Sequence, residues 1–540
     1  MSGRAVRVGA MWVGLVWAGG TAQGWAQQAD GAGKTTPPVL ESGQTTITED
    51  SGAAKTPVDT LLTPDQEKQL IASEDRILHF VSKDTELPIL APVKCRFVSR
   101  ESVNKDLRKK FDEDKGAKRM ERSELVLKKF GLLDQSFQLK PFLLSLLTEQ
   151  IAGFYDNKTK VMNLLNWVSL DEQAPVMAHE LTHALQDQKV GLTKWDDNEI
   201  EGTAKNQAED ERHIAVDETD TAREAVLEGQ AMVSFADYAL ETNGHPGKTL
   251  KDFPQMADML SQGAGDSADS PVLARAPLVL QQSLLFPYTD GLTFEQAVLV
   301  KDGVGKAFAG VLENPPSTSY EIMTPEAYRH HVAVPLMKLP DIHPMLKDAG
   351  YDPYDVGVMG ELDVRMTAEL FGGRPLAEAL APAWNGGVYY AAQRRNMKAA
   401  DKDTTKSIAI LYSSRWKNPD SAHSFFDVFE EELPRQYDGL KRRRADEVDD
   451  SERVYSTSEG DVLLTLKDNT VWVSEGFELP LARELRDKVD MANVPMGSGP
   501  VMTAQRQEAG SRKQEVAPGG LVEGLSHWMG QFGVMRAGLR

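Results

Sequence analysis

The chain has 540 residues, 41% of them hydrophobic and 26% charged, with a formal net charge of −21 at pH 7. That composition is ordinary for a globular chain, and the length exceeds what one hydrophobic core usually serves, so two or more domains are expected. So acidic a surface repels phosphate backbones and argues against nucleic acid as a partner. The single cysteine, Cys95, excludes an intrachain disulfide and a cysteine-based zinc site.

In chain order, residues 1–26 read as an export signal. Arg4 and Arg7 precede an apolar run from Val8 to Gly20, and Gly24-Trp25-Ala26 supplies small residues at the cleavage position. The run is too short for a convincing membrane span, and no cysteine follows it to carry a lipid. The expectation is a secreted or periplasmic protein with no stable membrane span. Residues 27–60, rich in Gly, Thr, Ser, Ala and Pro, read as a disordered linker.

Order is predicted from Thr63-Pro64-Asp65-Gln66, a capping box with proline at the first helical position, before Leu70, Ile71, Ile77, Leu78 and Val81 recur at helical spacing. Val93, Cys95 and Phe97 alternate with Lys94 and Arg96 as a half-buried strand, with Cys95 a core thiol. A charged helix is predicted over roughly 100–130 and a more apolar one over roughly 138–151. Residues 152–165 read as a hairpin around the turn-forming Asp156-Asn157-Lys158-Thr159. Helices follow at roughly 174–188 and from near Asp220 past Tyr238, separated by an acidic stretch that reads as solvated, since nothing in it resembles a calcium loop.

Residues 244–275 read as irregular, and mixed helix and loop continue to about 345. Between 346 and 494 helical segments alternate with strand-like runs at 408–412, 462–466 and 471–473. The chain is thus α+β, divided at about 345, with a flexible tail at 495–540 that ends in an amphipathic helix bearing Leu521, Leu525, Trp528 and Phe532.

His179-Glu180-Leu181-Thr182-His183 is an H-E-x-x-H segment. Residues four apart share a helix face, so both imidazoles can reach one zinc ion, while Glu180 stands beside them as a general base. A third ligand is needed. Glu228 on the second helix is the favoured candidate, with Gly229 letting that helix pack closely on the first. Glu224 lies one turn earlier on the same face, and His213 is a further competitor. Of Glu224 and Glu228, the one that does not bind metal is placed to orient a ligand histidine. Asp187, four beyond His183, is either a partner for an imidazole N–H or a polar residue at the helix end.

These residues resemble the zincin metallopeptidases, in particular the gluzincins with a glutamate third ligand. A closer resemblance is to a set of secreted bacterial proteins with a HELTHALQDQ motif, here His179–Gln188. It extends to Glu149–Asp156, Glu228-Gly229-x-Ala231, Asn314–Thr318, Pro325-Glu326-x-Tyr328, Gly360-Glu361 and Ala383-Trp384-x-Gly386, over roughly residues 90–480. The resemblance implies a mainly helical zincin-like metallopeptidase domain at 61–345, with a small sheet and edge hairpin, followed by a smaller α+β domain. It implies that His179, His183 and Glu228 bind Zn2+ and Glu180 is the base. It also implies that a protein or peptide substrate lies along the hairpin edge and that the Glu228 helix packs antiparallel to the metal helix. The chain departs from that set at Gly387-Val388, where Gly-Asp is usual, and at Thr324, where a histidine precedes proline. Its His183–Glu228 spacing is longer than in thermolysin-like enzymes.

The function expected is hydrolysis of peptide bonds, with Tyr320, Tyr328, His330 and His331 as candidates to stabilise the oxyanion. Two alternatives stay open: a zinc-dependent amidase acting on cell-wall peptides, and a non-catalytic binding protein with a structural zinc site.

Overall fold

The first helix, α1 (Pro64–Thr85), begins where the capping residues place it. The Thr63 hydroxyl accepts from Gln66 N while Gln66 reaches back to Thr63 N at 2.8 Å, so two donors that a helix start leaves open are both satisfied. The computed structural model describes residues 61–493 except 114, 152, 168–169, 196–202, 254, 258–259 and 261–270. The expected export signal, linker and terminal amphipathic helix lie outside the described residues.

Strand β1 (Lys94–Val98) exposes Lys94 and Arg96 and half-buries Cys95 and Phe97, as its alternation requires. Burial, reinforced by Glu74, pushes the Cys95 thiol up to about 12, so it packs as a neutral group. The charged region expected to be helical is helical on both sides of residue 114, as α2 (Arg100–Glu113) and α3 (Lys115–Lys129), and α4 (Leu139–Gln150) follows. The hairpin is β2 (Gly153–Asp156) and β3 (Val161–Leu165). Asp156 Oδ1 accepts from Lys158 N and Thr159 N at 2.9 and 3.1 Å, which closes its turn. β3 pairs in parallel with β1 and antiparallel with β2, so β2 is an edge of a three-stranded sheet ordered β1-β3-β2.

Helix α5 (Leu170–Val190) packs against α1, against β2 and β3, and against a long helix further on. Short α6 (Leu192–Trp195) and α7 (Gln207–Val216) lead to that helix, α8 (Thr219–Thr242). Helix α8 is buried along almost its whole length because α5 flanks it on one side and α9 (Leu278–Asp302) on another. Gly229 serves a different contact from the one expected. It faces α9 rather than the metal helix: a Cβ there would lie 2.3 Å from Gly291 O, and one on Gly291 would lie 2.2 Å from Ala225 O. Only paired glycines let these two backbones come so close.

The acidic stretch before α8 also differs from its expected solvation, since Asp210, Asp217, Glu218 and Asp220 are buried. Asp210 pairs with His343 Nε2 at 2.8 Å, Asp217 Oδ2 accepts from Val358 N at 2.6 Å, and Glu218 Oε1 accepts from Ser319 N at 3.1 Å. Each carboxylate ties the approach to α8 to chain at least a hundred residues downstream, which local composition does not register.

The later part of the chain builds a seven-stranded antiparallel sheet ordered β4-β5-β6-β10-β9-β8-β7. Its strands are β4 (Tyr351–Gly357), β5 (Trp384–Arg394), β6 (Ile408–Trp416), β7 (Lys441–Arg442), β8 (Glu452–Thr457), β9 (Gly460–Lys467) and β10 (Thr470–Glu475). The three expected strand runs fall in β6, β9 and β10, which are neighbours at its centre. Successive residues of β6 are buried, so both faces are covered and the sequence reads as a continuous apolar run. Lys129 on α3 pairs with Glu459 beside β9 at 2.8 Å, and buried apolar side chains run as one connected cluster from Leu62 to Val489. The architecture is α+β, as expected.

One buried contact joins α1 to α8: the carboxyl groups of Asp84 and Asp237 share a hydrogen bond, and Asp237 also accepts from Leu250 N at 2.6 Å. Burial raises both, Asp84 to about 6 and Asp237 to about 9, with Asp84 adding to the second and Lys251 opposing each. The folded chain therefore holds protons that the unfolded chain, with carboxylates near 3.8, has already released. The stability this pair contributes is full below the unfolded value of 3.8 and is lost progressively as pH rises from there to about 9, Asp84's share being gone by about 6. Asp237→Asn is expected to flatten that decline, read as the denaturant midpoint at pH 6, 7.5 and 9. An equal decline in wild type and variant would contradict the shared proton.

Candidate metal centre

His179 and His183 lie one turn apart on the buried face of α5, and Glu228 comes from α8 across the interface. His179 Nε2 and His183 Nε2 are 3.0 and 3.6 Å from Glu228 Oε2 and 3.1 Å from each other. Among the described residues this is the one group of three or more His, Cys, Asp or Glu side chains whose donor atoms lie close enough together to hold a metal ion. The helices run in opposite directions. Glu228 meets the two histidines within α5, whereas Arg223, earlier on α8, donates to the carbonyl of Trp195, beyond the end of α5.

Without a cation the electrostatics favour the ligand form of Glu228 and the protonated form of His183. Burial by itself would raise the Glu228 carboxyl, but the two imidazoles, His183 foremost, hold it well below the usual carboxylate range. Burial would lower His183, yet Glu228 outweighs it and raises the imidazole to about 9. Without a metal the cluster is held together by a buried carboxylate and protonated imidazole, and a cation replaces that proton on binding.

Glu180 points to the hairpin. Its Oε2 accepts from Tyr155 N at 2.9 Å, so the backbone of edge strand β2 fixes the carboxylate beside the histidines. Gly153 packs against the same helix: a Cβ there would press on Val176 Cγ1 at 3.0 Å and touch Glu180 Cγ at 3.5 Å, an ordinary contact. His179 is backed by Tyr288 of α9, whose ring lies 6.3 Å away at an interplanar angle of 17°. The ring partner of His183 is Gln186, whose Oε1 is 2.8 Å from His183 Nδ1.

Asp187 has another task than orienting an imidazole. Its Oδ2 accepts from Tyr155 Oη at 2.8 Å and pairs with Lys160, and its Oδ1 accepts from Leu192 N at 3.1 Å, so it fastens the hairpin to the end of α5. Glu224 and His213 are buried but stand outside the three-residue group. The four oxyanion candidates fall in a separate segment. Tyr328 donates to Asn314 O at 2.8 Å, Tyr320 packs on Trp384, His330 pairs with Glu326 at 3.0 Å, and His331 takes a left-handed φ of 54°. Sequence reasoning passed over Gln186 and Tyr288. Gln186 carried a signal, three residues beyond His183 on the same face; Tyr288, a hundred residues away, carried none.

Comparison with family models, with curated proteins and with solved structures gives no match. Among the described residues no helix is long and apolar enough to cross a membrane.

Adding a divalent metal to metal-free protein is expected to raise the thermal midpoint in a concentration-dependent way. The rise should persist in Glu224→Ala and vanish in Glu228→Ala; the reverse pattern would move the third ligand to Glu224.

Proposed function

We propose that this protein is a secreted zinc-dependent metallopeptidase of the zincin type, with His179, His183 and Glu228 as metal ligands and Glu180 as general base. The observation that carries the reading is the convergence of the two H-E-x-x-H imidazoles on a buried glutamate from the neighbouring helix.

The residues fit zinc. Two imidazole nitrogens and one carboxylate oxygen are the donor types of catalytic zinc sites, which keep a further position open. Ligand atoms at about 2.0–2.1 Å in a tetrahedron stand about 3.3 Å apart, and the three separations here are 3.0, 3.1 and 3.6 Å. A zinc ion held there polarises a carbonyl and lowers the pKa of water.

The remaining work falls to the chain. Glu180, on the same helix turn as His179 and held by Tyr155 N, accepts the proton released as water attacks a peptide carbonyl. The same carboxyl then gives that proton to the leaving amine. Strand β2, a buried edge of the small sheet whose Tyr155 N–H is held by Glu180, is the element to which an extended peptide would add by displacing that contact. Tyr288 and Gln186 hold the imidazoles in place while this happens. His179, Glu180, His183 and Glu228 are 6, 2, 3 and 1% exposed, which strengthens the electrostatic interactions among them.

Glu180→Gln removes the proton acceptor and keeps size and hydrogen bonding. It is expected to retain bound zinc and to lower peptide hydrolysis by about 10²–10⁴-fold, measured on casein and on peptidoglycan fragments in parallel. Hydrolysis confined to the fragments would make the protein a cell-wall amidase. Hydrolysis unchanged by the substitution would refute Glu180 as base, and none in the zinc-loaded wild type would refute the enzyme reading.

A further inference from the structure

The amide of Gln186 touches His183 through an acceptor, and what decides that orientation lies beyond the helix. Gln186 Oε1 faces His183 Nδ1 at 2.8 Å, while Gln186 Nε2 donates to Leu227 O at 3.0 Å and to Gln230 Oε1 at 2.9 Å. Gln230 in turn donates through Nε2 to Ala307 O at 2.9 Å and Phe308 O at 3.1 Å. Those two carbonyls belong to a wide π-helical turn, Lys306–Gly310, next to α9. All the amides and carbonyls of this chain are buried, Gln186 and Gln230 completely.

The sense of each group follows from donor and acceptor chemistry alone. A backbone carbonyl only accepts, so the end of Gln230 that meets two carbonyls is its NH2. Its other end is then an oxygen, and the atom of Gln186 facing that oxygen must be a donor. This leaves the Gln186 oxygen turned to His183, whose Nδ1 must carry hydrogen, so that Nε2 is the nitrogen whose proton a cation at the metal position displaces. Turning either amide over would set oxygen against oxygen among fully buried groups.

We infer that Gln186 and Gln230 are positioning residues that fix the ring orientation and tautomer of His183, their own orientation being imposed by the carbonyls of Ala307 and Phe308. Gln230 acts through Gln186 and touches no ligand atom of the metal group. The inference rests on the metal-site reading above.

Zinc affinity, measured by competition with a chromogenic chelator at fixed pH, tests it in wild type, Gln186→Met, Gln230→Met and the double variant. Methionine keeps the length and removes the hydrogen bonds. Gln186→Met is expected to weaken zinc by about 10–100-fold and Gln230→Met by about tenfold. In the Gln186→Met background the second substitution should cost nothing further, because its effect passes through Gln186. Fold-changes that multiply, or a Gln230→Met affinity equal to wild type, would overturn the inference while leaving the metal site standing. Zinc-loaded wild type should in addition show a slowly exchanging His183 Nδ1–H in a nitrogen-15 spectrum, a readout that needs no variant. An Nε2–H there instead would overturn it. Failure of wild type to bind zinc at all would sink the metal-site reading and this inference with it.

Discussion

Burial of the Glu228 carboxylate is the constraint on which the rest of the site depends. A glutamate 1% exposed between three helices is tolerable only beside compensating charge, and the two imidazoles of α5 supply it. That requirement holds α5 and α8 in one register. Sliding either helix by a turn would strand the carboxylate and separate the histidines from it. The apolar packing around them sets how closely the helices approach, and the charged contact sets where.

Neighbouring features serve the same alignment. The Gly229–Gly291 crossing brings α9 against the back of α8, so Tyr288 lies over His179 and the π-turn carbonyls lie within reach of Gln230. On the other flank the hairpin is bound to α5 twice, by Tyr155 N to Glu180 and by Tyr155 Oη to Asp187. Strand edge, Glu180 and the histidine pair therefore belong to one arrangement, and the position of the Glu180 carboxylate is set by a backbone contact rather than left to a free side chain. Buried carboxylates at the start of α8 extend this hold to Val358, next to β4 of the large sheet, and to Ser319 at the start of a short helix.

Much of this was legible in the sequence, and the divide follows the range of the interactions. The capping box at Thr63, the alternation at Cys95, the hairpin turn at Asp156 and the H-E-x-x-H spacing are local patterns, each written within a few residues. Glu228 was legible as a candidate because its helix was, and the contest with Glu224 needed the helices to be laid together. The contact of Gly229 and the burial of the acidic residues 210–220 were missed, and the two readings of Asp187 left undecided, for a single reason. Their partners, Tyr155, Gly291, His343, Val358 and Ser319, stand dozens to more than a hundred residues away. Periodicity gives the face of a helix and says nothing of which helix will meet it. The strand order of the seven-stranded sheet, in which β10 inserts between β6 and β9, is long-range in the same sense.

The central claim is that one zinc ion sits among two imidazoles and one carboxylate. X-ray absorption at the zinc edge on the loaded full chain addresses it most directly. The account predicts only nitrogen and oxygen neighbours at about 2.0–2.1 Å, with the outer-shell scattering of two imidazole rings falling to one in His183→Ala. A sulfur neighbour from Cys95, or an all-oxygen shell without imidazole, would contradict it.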